Sequence, residues 1–290
     1  MATPEQWLAG ARPRTLPAAV APVLAGTGVA AYLDEAVWWK ALMALVVALA
    51  LQVGVNYAND YSDGIRGTDA ERVGPLRLVG SGAATASSVK EAALISFGVA
   101  ALFGLLLAIT TSWWLVLVGL VSIVAAWYYT GGRKPYGYRG LGEVMVFVFF
   151  GLVAVMGTTY VQAESFPLAS FFAAVGIGAL ACAILVANNL RDIPTDREVG
   201  KRTLAVVLGE QQTRYFYAFL VAVAAIALLG VVLETTWLAL MALAFLFPLA
   251  PALSIVLGGT TGRGLVPVLQ RTGTAELVYA AGLFLALLVV

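Results

Sequence analysis

The sequence contains no histidine and only one cysteine, Cys182, among its 290 residues. It therefore has no imidazole to serve as a base or metal ligand, and it can form neither an internal disulfide nor a cysteine zinc site. Charged residues are also scarce, at 11%, where soluble domains have about 25%. With 61% hydrophobic residues and a mean hydropathy of +0.91, this excludes a soluble enzyme, a disordered chain and a nucleic-acid-binding protein. Any metal site must use oxygen ligands, which favours Mg2+, Ca2+ or Mn2+.

Long apolar stretches predict a membrane protein that crosses the bilayer many times. A stretch of roughly 18 or more residues with few or no charges can cross about 30 Å of hydrocarbon as a helix. Nine spans are predicted: Thr15–Leu33, Ala41–Asn59, two within Ala92–Gly132, Val144–Ala163, Ser165–Leu190, Tyr215–Leu233, Thr235–Gly262 and Thr272–Val290. Polar Thr110–Ser112, followed by Trp113 and Trp114, separate the two spans within residues 92–132, as expected at a membrane interface. The predicted fold class is an all-α bundle of nine transmembrane helices, forming one integral-membrane domain over residues 1–290.

The positive charges fall on one side of this predicted topology. Of the 17 Lys and Arg residues, all except Lys40 lie at the N-terminus or in connections that follow even-numbered spans. Because the cytoplasmic connections of membrane proteins carry the excess of Lys and Arg, this side is predicted to be cytoplasmic. The N-terminus is then cytoplasmic, and the C-terminus lies outside the cell membrane.

Two helix ends on this side carry matched clusters of asparagine and aspartate. At the end of the second span, the residues spaced along one helix face are Asn56, Asp60 and Asp63, with Asn59 four residues before Asp63. At the end of the sixth span they are Asn188, Asp192 and Asp196. Like charges crowded on one face repel each other, so a cation is expected to compensate them. Two such helix ends facing each other form an oxygen-ligand site for divalent cations, which usually also bind substrate phosphates.

Basic residues and tyrosines accompany both clusters. The candidates for substrate binding are Arg72, Arg133, Lys134, Lys201, Arg202, Tyr136 and Tyr138. Arg and Lys can hold the non-bridging oxygens of a diphosphate while carboxylates hold its metal, and tyrosine rings can stabilise a carbocation. The residues alone therefore indicate a one-sided membrane site for a metal-bound diphosphate attached to an apolar tail.

Over essentially the whole chain, these motifs resemble those of the UbiA-type membrane prenyltransferase superfamily. The hallmark of that superfamily is a pair of aspartate-rich motifs after the second and sixth helices. The first motif is matched by Asn59-Asp60-Tyr-Ser-Asp63 with a further carboxylate at Asp69, and the second by Asn188, Asp192 and Asp196. The spacing from Asp63 to Asp69 and the Tyr-Thr-Gly and Pro-Tyr-Gly-Tyr runs of residues 129–138 are similar to the menaquinone branch.

The resemblance implies a reaction and a set of site residues. A polyprenyl group would pass from a polyprenyl diphosphate, held at the membrane, to 1,4-dihydroxy-2-naphthoate, whose carboxyl is lost as CO2, giving demethylmenaquinone. Mg2+ is the implied cofactor, with ligands Asn59, Asp63, Asp69, Asn188, Asp192 and Asp196. The catalytic candidates are Asp60, Asp63 and Asp192, where Asp60 is either a carboxylate behind the metal ligands or a base toward the naphthol.

Two alternatives stay open at this point. A UbiA-type prenyltransferase with another acceptor, such as 4-hydroxybenzoate, homogentisate or a chlorophyllide, would share both motifs. A transporter that uses carboxylates as relays would instead need a charged residue deep within a span. The predicted spans show none, because Glu143 and Glu276 are both expected near span ends.

Overall fold

The computed structural model describes residues 2–67 and 76–290. Within these ranges the chain is helical and contains no β-strand, which confirms the predicted all-α class for this part of the chain. The α-helices are α1 Pro4–Ala11, α2 Pro17–Tyr32, α3 Trp38–Arg66, α4 Ala86–Thr110, α5 Trp114–Tyr128, α6 Gly142–Val146, α7 Gly157–Ala163, α8 Leu168–Glu198, α9 Leu204–Leu208, α10 Glu210–Glu234, α11 Leu246–Leu257 and α12 Val266–Leu288. A π-helix, Phe147–Met156, joins α6 to α7, and 3-10 helices lie at Pro13–Thr15, Tyr136–Arg139, Trp237–Phe245 and Gly262–Leu265.

Multiple helices are long and apolar enough to cross a membrane. In the described ranges there are seven such helices, and an eighth if the bent pair Pro4–Thr15 and Pro17–Tyr32 counts as one span. Helix α5 is apolar but has only 15 residues. The division predicted within residues 92–132 is confirmed, since α4 ends at Thr110 and α5 begins at Trp114. The protein is therefore an integral membrane protein with multiple apolar helices.

The N-terminal segment bends and packs against α3. Its two helical parts meet at an angle of 49° at Pro17, whose ring favours the first turn of a new helix. The amide of Asn56 donates to the carbonyl of Ala11 at 2.9 Å, and the hydroxyl of Tyr57 donates to the carbonyl of Trp7 at 2.9 Å. These side chains of α3 thereby fix the segment beside the start of the first acidic cluster.

The last helix differs from its sequence prediction. The apolar pattern places the start of the last span at Thr272, whereas α12 begins at Val266. Glu276 consequently lies near the middle of the helix, completely buried, and the prediction that it lies near a span end was wrong. The apolar pattern misplaced this start because Gln270 and Arg271 read as a polar connection, although they continue the helix.

Helix α8 lies at the centre of the bundle. In its most apolar stretch, 72% of the residues are buried. The core around it includes residues from Ala21 in α2 to Leu287 in α12. Small residues allow this close packing, because membrane helices approach most tightly where side chains are short. At Gly151 of the π-helix, an added Cβ would lie 2.6 Å from the carbonyl oxygen of Ala174 and 2.8 Å from the Cα of Gly178. Both of these atoms belong to the rigid backbone of α8.

Gly151→Ala is expected to destabilise the protein because the backbone atoms of α8 must move away from the new methyl group. Overpacking of this kind costs about 1–3 kcal/mol of unfolding free energy. The measurement is the thermal unfolding midpoint of the purified protein in detergent. Gly157→Ala is the matched control, since a Cβ at this helical position meets no atom within 4 Å in the part of the chain described. An equal fall in both variants would show that the close contact at Gly151 is not the cause.

Candidate active site

The first acidic cluster lies on the last turns of α3 and contacts two other segments. Asp63 is 2% exposed and accepts a 2.5 Å hydrogen bond from the hydroxyl of Tyr138. The amide oxygen of Asn59 accepts a 2.7 Å hydrogen bond from the hydroxyl of Thr130. Both donors come from the connection between α5 and α6. That connection therefore closes over the end of α3 and fixes the orientation of both side chains.

Two basic side chains also approach Asp63. The same carboxylate oxygen, Oδ2, lies 3.6 Å from Nη2 of Arg77 and 3.9 Å from Nζ of Lys201. Lys201 follows the end of α8, so this contact places the ends of α3 and α8 at the same side of the bundle. The sequence predicted this proximity of the two acidic helix ends.

Tyr138 is at the centre of these contacts. Nζ of Lys201 lies 4.5 Å from the centre of its ring, and the guanidinium carbon of Arg66 lies 5.4 Å from it. Arg66 also donates to the carbonyls of Thr130 and Gly132, and the main-chain N–H of Arg202 donates to the carbonyl of Tyr138 at 3.0 Å. Cation–π contacts and hydrogen bonds thus hold this ring between the two helix ends.

The second cluster, in α8, is organised by Arg191. Its Nε and Nη2 atoms each donate a 2.7 Å hydrogen bond to the carboxylate of Asp192, one to each oxygen. Nη2 also donates to the amide oxygen of Asn188 at 2.9 Å. Arg191 is 8% exposed and Asp192 5% exposed, so this is a buried, two-pronged ion pair. One turn further along α8, Asp196 is also buried, and its carboxylate lies 3.5 Å from the hydroxyl of Thr203.

Asp60 binds a different segment from Asp63. Its two carboxylate oxygens accept backbone hydrogen bonds from Leu78 at 2.7 Å and Val79 at 3.1 Å. These bonds fix the residues next to Arg77, whose guanidinium approaches Asp63. Of the two roles that the sequence left open for Asp60, this geometry favours a carboxylate that supports the site from behind.

The remaining candidates are placed in different surroundings. The side chains of Arg133, Lys134 and Arg202 are exposed. Tyr136 packs edge-on against Tyr129, and its hydroxyl donates to the carbonyl of Ala125 at 2.8 Å. Burial raises the pKa of that hydroxyl, which therefore stays protonated and supports the connection. Asp69 and Arg72 lie outside the described residues.

Sequence reasoning did not select Arg191, Arg77 and Thr130 as site residues. Arg191 stands directly before Asp192, but neighbours along a helix ordinarily point to different faces, so adjacency alone does not predict their pairing. Thr130 and Arg77 contact α3 through long-range packing, for which the sequence carries no local pattern.

The donor atoms fit a hard divalent cation. Asn59, Asp63, Asn188, Asp192 and Asp196 provide only oxygen ligands, as the absence of histidine requires. Within the described ranges, no three acidic or cysteine side chains come close enough to hold a metal ion by themselves. Mg2+ is commonly bound by one or two carboxylates and completed by waters and phosphate oxygens, which is the kind of site this donor set permits.

In this all-helical membrane protein, buried carboxylates and buried cations lie together at the helix ends, beside an apolar interior. The chain belongs to the UbiA prenyltransferase family, whose sequence model matches residues 19–263.

Relatives of known name support this assignment. The 1,4-dihydroxy-2-naphthoate octaprenyltransferase of Mycobacterium tuberculosis is 57% identical, over 97% of this chain and 96% of that protein. The Escherichia coli protein of the same name is 42% identical, over 74% of this chain and 72% of that protein. The similarity to the first of these extends over nearly the whole length of both proteins.

Solved structures share the fold at low sequence identity. A UbiA homologue from Aeropyrum pernix superimposes with a TM-score of 0.70 at 13% identity, covering 94% of this chain and 97% of the other. A UbiA homologue from Archaeoglobus fulgidus, bound to DMAPP and Mg2+, gives a TM-score of 0.63 at 13% identity, covering 98% of this chain and all of the other. At this identity the likeness concerns the fold.

Proposed function

We propose that the protein transfers a polyprenyl group from a polyprenyl diphosphate to 1,4-dihydroxy-2-naphthoate, with loss of the acceptor's carboxyl as CO2, to give demethylmenaquinone. The observation that carries the proposal is the 57% identity, over 97% of the chain, to a 1,4-dihydroxy-2-naphthoate octaprenyltransferase. The buried pairing of acidic and basic side chains where α3 and α8 end supports it independently.

The acidic clusters are the proposed binding site for Mg2+. The ligands are Asn59, Asp63, Asn188, Asp192 and Asp196, with Asp69 from the undescribed segment. When bound, Mg2+ neutralises charge on the diphosphate and so makes it a better leaving group. Because carboxylates and diphosphate are both anionic, the oxygens of α3 and α8 would hold the diphosphate only through the bound metal. Asp63 and Asp192 are the catalytic carboxylates in this proposal.

The basic side chains stabilise the charge that grows on the leaving diphosphate. Lys201 is the best placed of the predicted cations, because it already lies between Asp63 and the ring of Tyr138. A cation at this position interacts more strongly with the separated diphosphate than with the intact donor, which lowers the barrier. Arg133, Lys134, Arg202 and Arg72 are proposed to add charge from the connections. The ring of Tyr138 is proposed to face the allylic cation.

The helices provide the apolar surroundings of the reaction. We propose nine spans: the seven long helices, the bent N-terminal pair, and α5, whose 15 residues extend about 22 Å. One hydrophobic core surrounds α8 and a second lies between α3 and α4; helix α2 contacts both α3 and α8, which supports a single domain. A dry interior keeps water from trapping the allylic cation. The distribution of Lys and Arg supports a cytoplasmic site and N-terminus, with the C-terminus outside.

An acceptor panel tests the proposed function. Membranes containing the protein are supplied with one polyprenyl diphosphate, Mg2+ and, separately, 1,4-dihydroxy-2-naphthoate, 4-hydroxybenzoate or homogentisate. We expect prenylated product from the naphthoate alone, together with release of one CO2 per product, measured by mass spectrometry and trapped 14CO2. Membranes that lack the protein are the control. Product from another acceptor, with none from the naphthoate, would move the protein to a different branch of the family.

One observation favours transport as the second candidate function. Glu276 lies in the middle of α12, completely buried, which is where a relay carboxylate would be expected. Solute or ion uptake into proteoliposomes without any prenyl donor would favour it. Family membership and the paired site at the helix ends favour prenyl transfer.

A further inference from the structure

Arg191 occupies the oxygens that the proposed function assigns to the metal. Its guanidinium binds both carboxylate oxygens of Asp192 at 2.7 Å and the amide oxygen of Asn188 at 2.9 Å. All three oxygens belong to the proposed Mg2+ ligands of α8. A divalent cation placed on the same oxygens would stand next to a buried positive charge, and the two would repel each other strongly in these surroundings.

In the first cluster the distances between cations and carboxylate are longer than in α8. In the part of the chain that the structure describes, Arg77 and Lys201 lie 3.6 and 3.9 Å from the Oδ2 atom of Asp63, beyond hydrogen-bond distance. The close, two-pronged pairing is thus on α8, and Arg191 is the side chain that must give way for a metal to bind there. The planar guanidinium fork that fits a carboxylate also fits two oxygens of a phosphate group.

We propose that Arg191 changes partners during substrate binding. Without substrate it neutralises Asp192 and Asn188; when a divalent cation and a diphosphate enter together, the cation takes those oxygens and Arg191 moves to the diphosphate. The exchange keeps every buried charge compensated, since the diphosphate brings the negative charge that Arg191 needs after leaving Asp192. This inference rests on the proposed function.

The exchange makes the binding of metal and diphosphate interdependent. A metal ion alone must break the ion pair between Arg191 and Asp192 without supplying a new anion for Arg191, so it binds weakly. Diphosphate supplies that anion and strengthens metal binding, and by thermodynamic linkage the metal strengthens diphosphate binding by the same factor. Arg191 is therefore expected to have opposite effects on the two affinities: it weakens binding of the metal alone and strengthens binding of the diphosphate.

The test measures Mn2+ binding to the purified protein by electron paramagnetic resonance, with and without inorganic pyrophosphate. Arg191→Gln is expected to bind Mn2+ alone at least about tenfold more tightly than the wild type, because the competing charge is gone. Pyrophosphate is expected to raise the affinity for Mn2+ in both proteins. The factor by which it does so should be at least about fivefold smaller in this variant than in the wild type. Arg197→Gln is the matched control, an exposed arginine on the same helix, and should behave as the wild type.

Unchanged or weaker binding of Mn2+ alone in a folded Arg191→Gln protein would overturn the proposal. Arg191→Lys keeps the positive charge but loses the planar guanidinium group. This variant tests the proposal if the glutamine variant does not fold. This variant should bind Mn2+ alone as weakly as the wild type does, but pyrophosphate should raise its Mn2+ affinity by a smaller factor. If pyrophosphate raises the affinity as much as in the wild type, a contact between Arg191 and the diphosphate is excluded. The wild-type acceptor panel is independent of these measurements, so failure of the proposed function is recognised separately.

Discussion

Asp192→Ala is expected to lower kcat for prenyl transfer by at least about 100-fold, the effect of removing one group that stabilises charge in a transition state. Asp192 is buried in α8, and both of its carboxylate oxygens take part in the ion pair with Arg191. The variant removes a proposed metal ligand and leaves Arg191 without its carboxylate partner. The measurement is the initial rate of demethylmenaquinone formation at saturating donor and acceptor.

Two further variants separate catalysis from folding in that experiment. Asp192→Asn keeps the size of the side chain and removes its charge, so it should show a similar loss of rate with better folding. Glu198→Gln alters an exposed carboxylate at the end of the same helix and should retain the wild-type rate. A folded Asp192→Ala protein with a near-normal rate would exclude Asp192 from the metal site.

Removal of divalent cations is expected to reduce prenyl transfer to below about one hundredth of its rate, because the diphosphate then leaves without the charge neutralisation that a metal supplies. Excess EDTA in the membrane assay performs the removal. Adding Mg2+ beyond the EDTA concentration should restore the rate.

The matched control for chelation is EDTA added as its preformed Mg2+ complex at the same total concentration. It should leave the rate unchanged, which excludes an effect of the chelator on the membrane. Full activity in excess free EDTA, with product confirmed by mass spectrometry, would show that the reaction proceeds without a divalent cation.

The apolar pattern predicted most of the helices because a long stretch of apolar residues favours the membrane interior, where the backbone must form a helix. The division after Thr110 was visible in the sequence, since polar residues and two tryptophans interrupt the apolar run there. The start of α12 was not, because Gln270 and Arg271 read as a polar connection although the helix passes through them. Polar side chains mark the end of an apolar stretch in the sequence. The helix itself ends where its backbone hydrogen bonds end, which can be several residues further along.

The clustering of acidic and basic residues at the helix ends was predictable, and their pairing was not. Helical spacing placed Asp60 and Asp63 together, one turn apart, but their partners come from elsewhere. Asp60 binds backbone N–H groups 18 and 19 residues further along the chain, and Asp63 is 75 residues away from its donor, Tyr138. Such contacts depend on how the connections fold back over the helix ends, which local spacing does not encode.

The ion pairs at the helix ends have a consequence for the protein without its metal. Arg191 already pairs with Asp192, and Arg77 and Lys201 lie beside Asp63, so folding does not have to wait for a divalent cation to compensate these two carboxylates. In small zinc domains, by contrast, the metal supplies the free energy of folding. Under the proposed Mg2+ dependence, removal of the ion would therefore leave a folded but inactive protein in the membrane, able to resume activity when the ion returns.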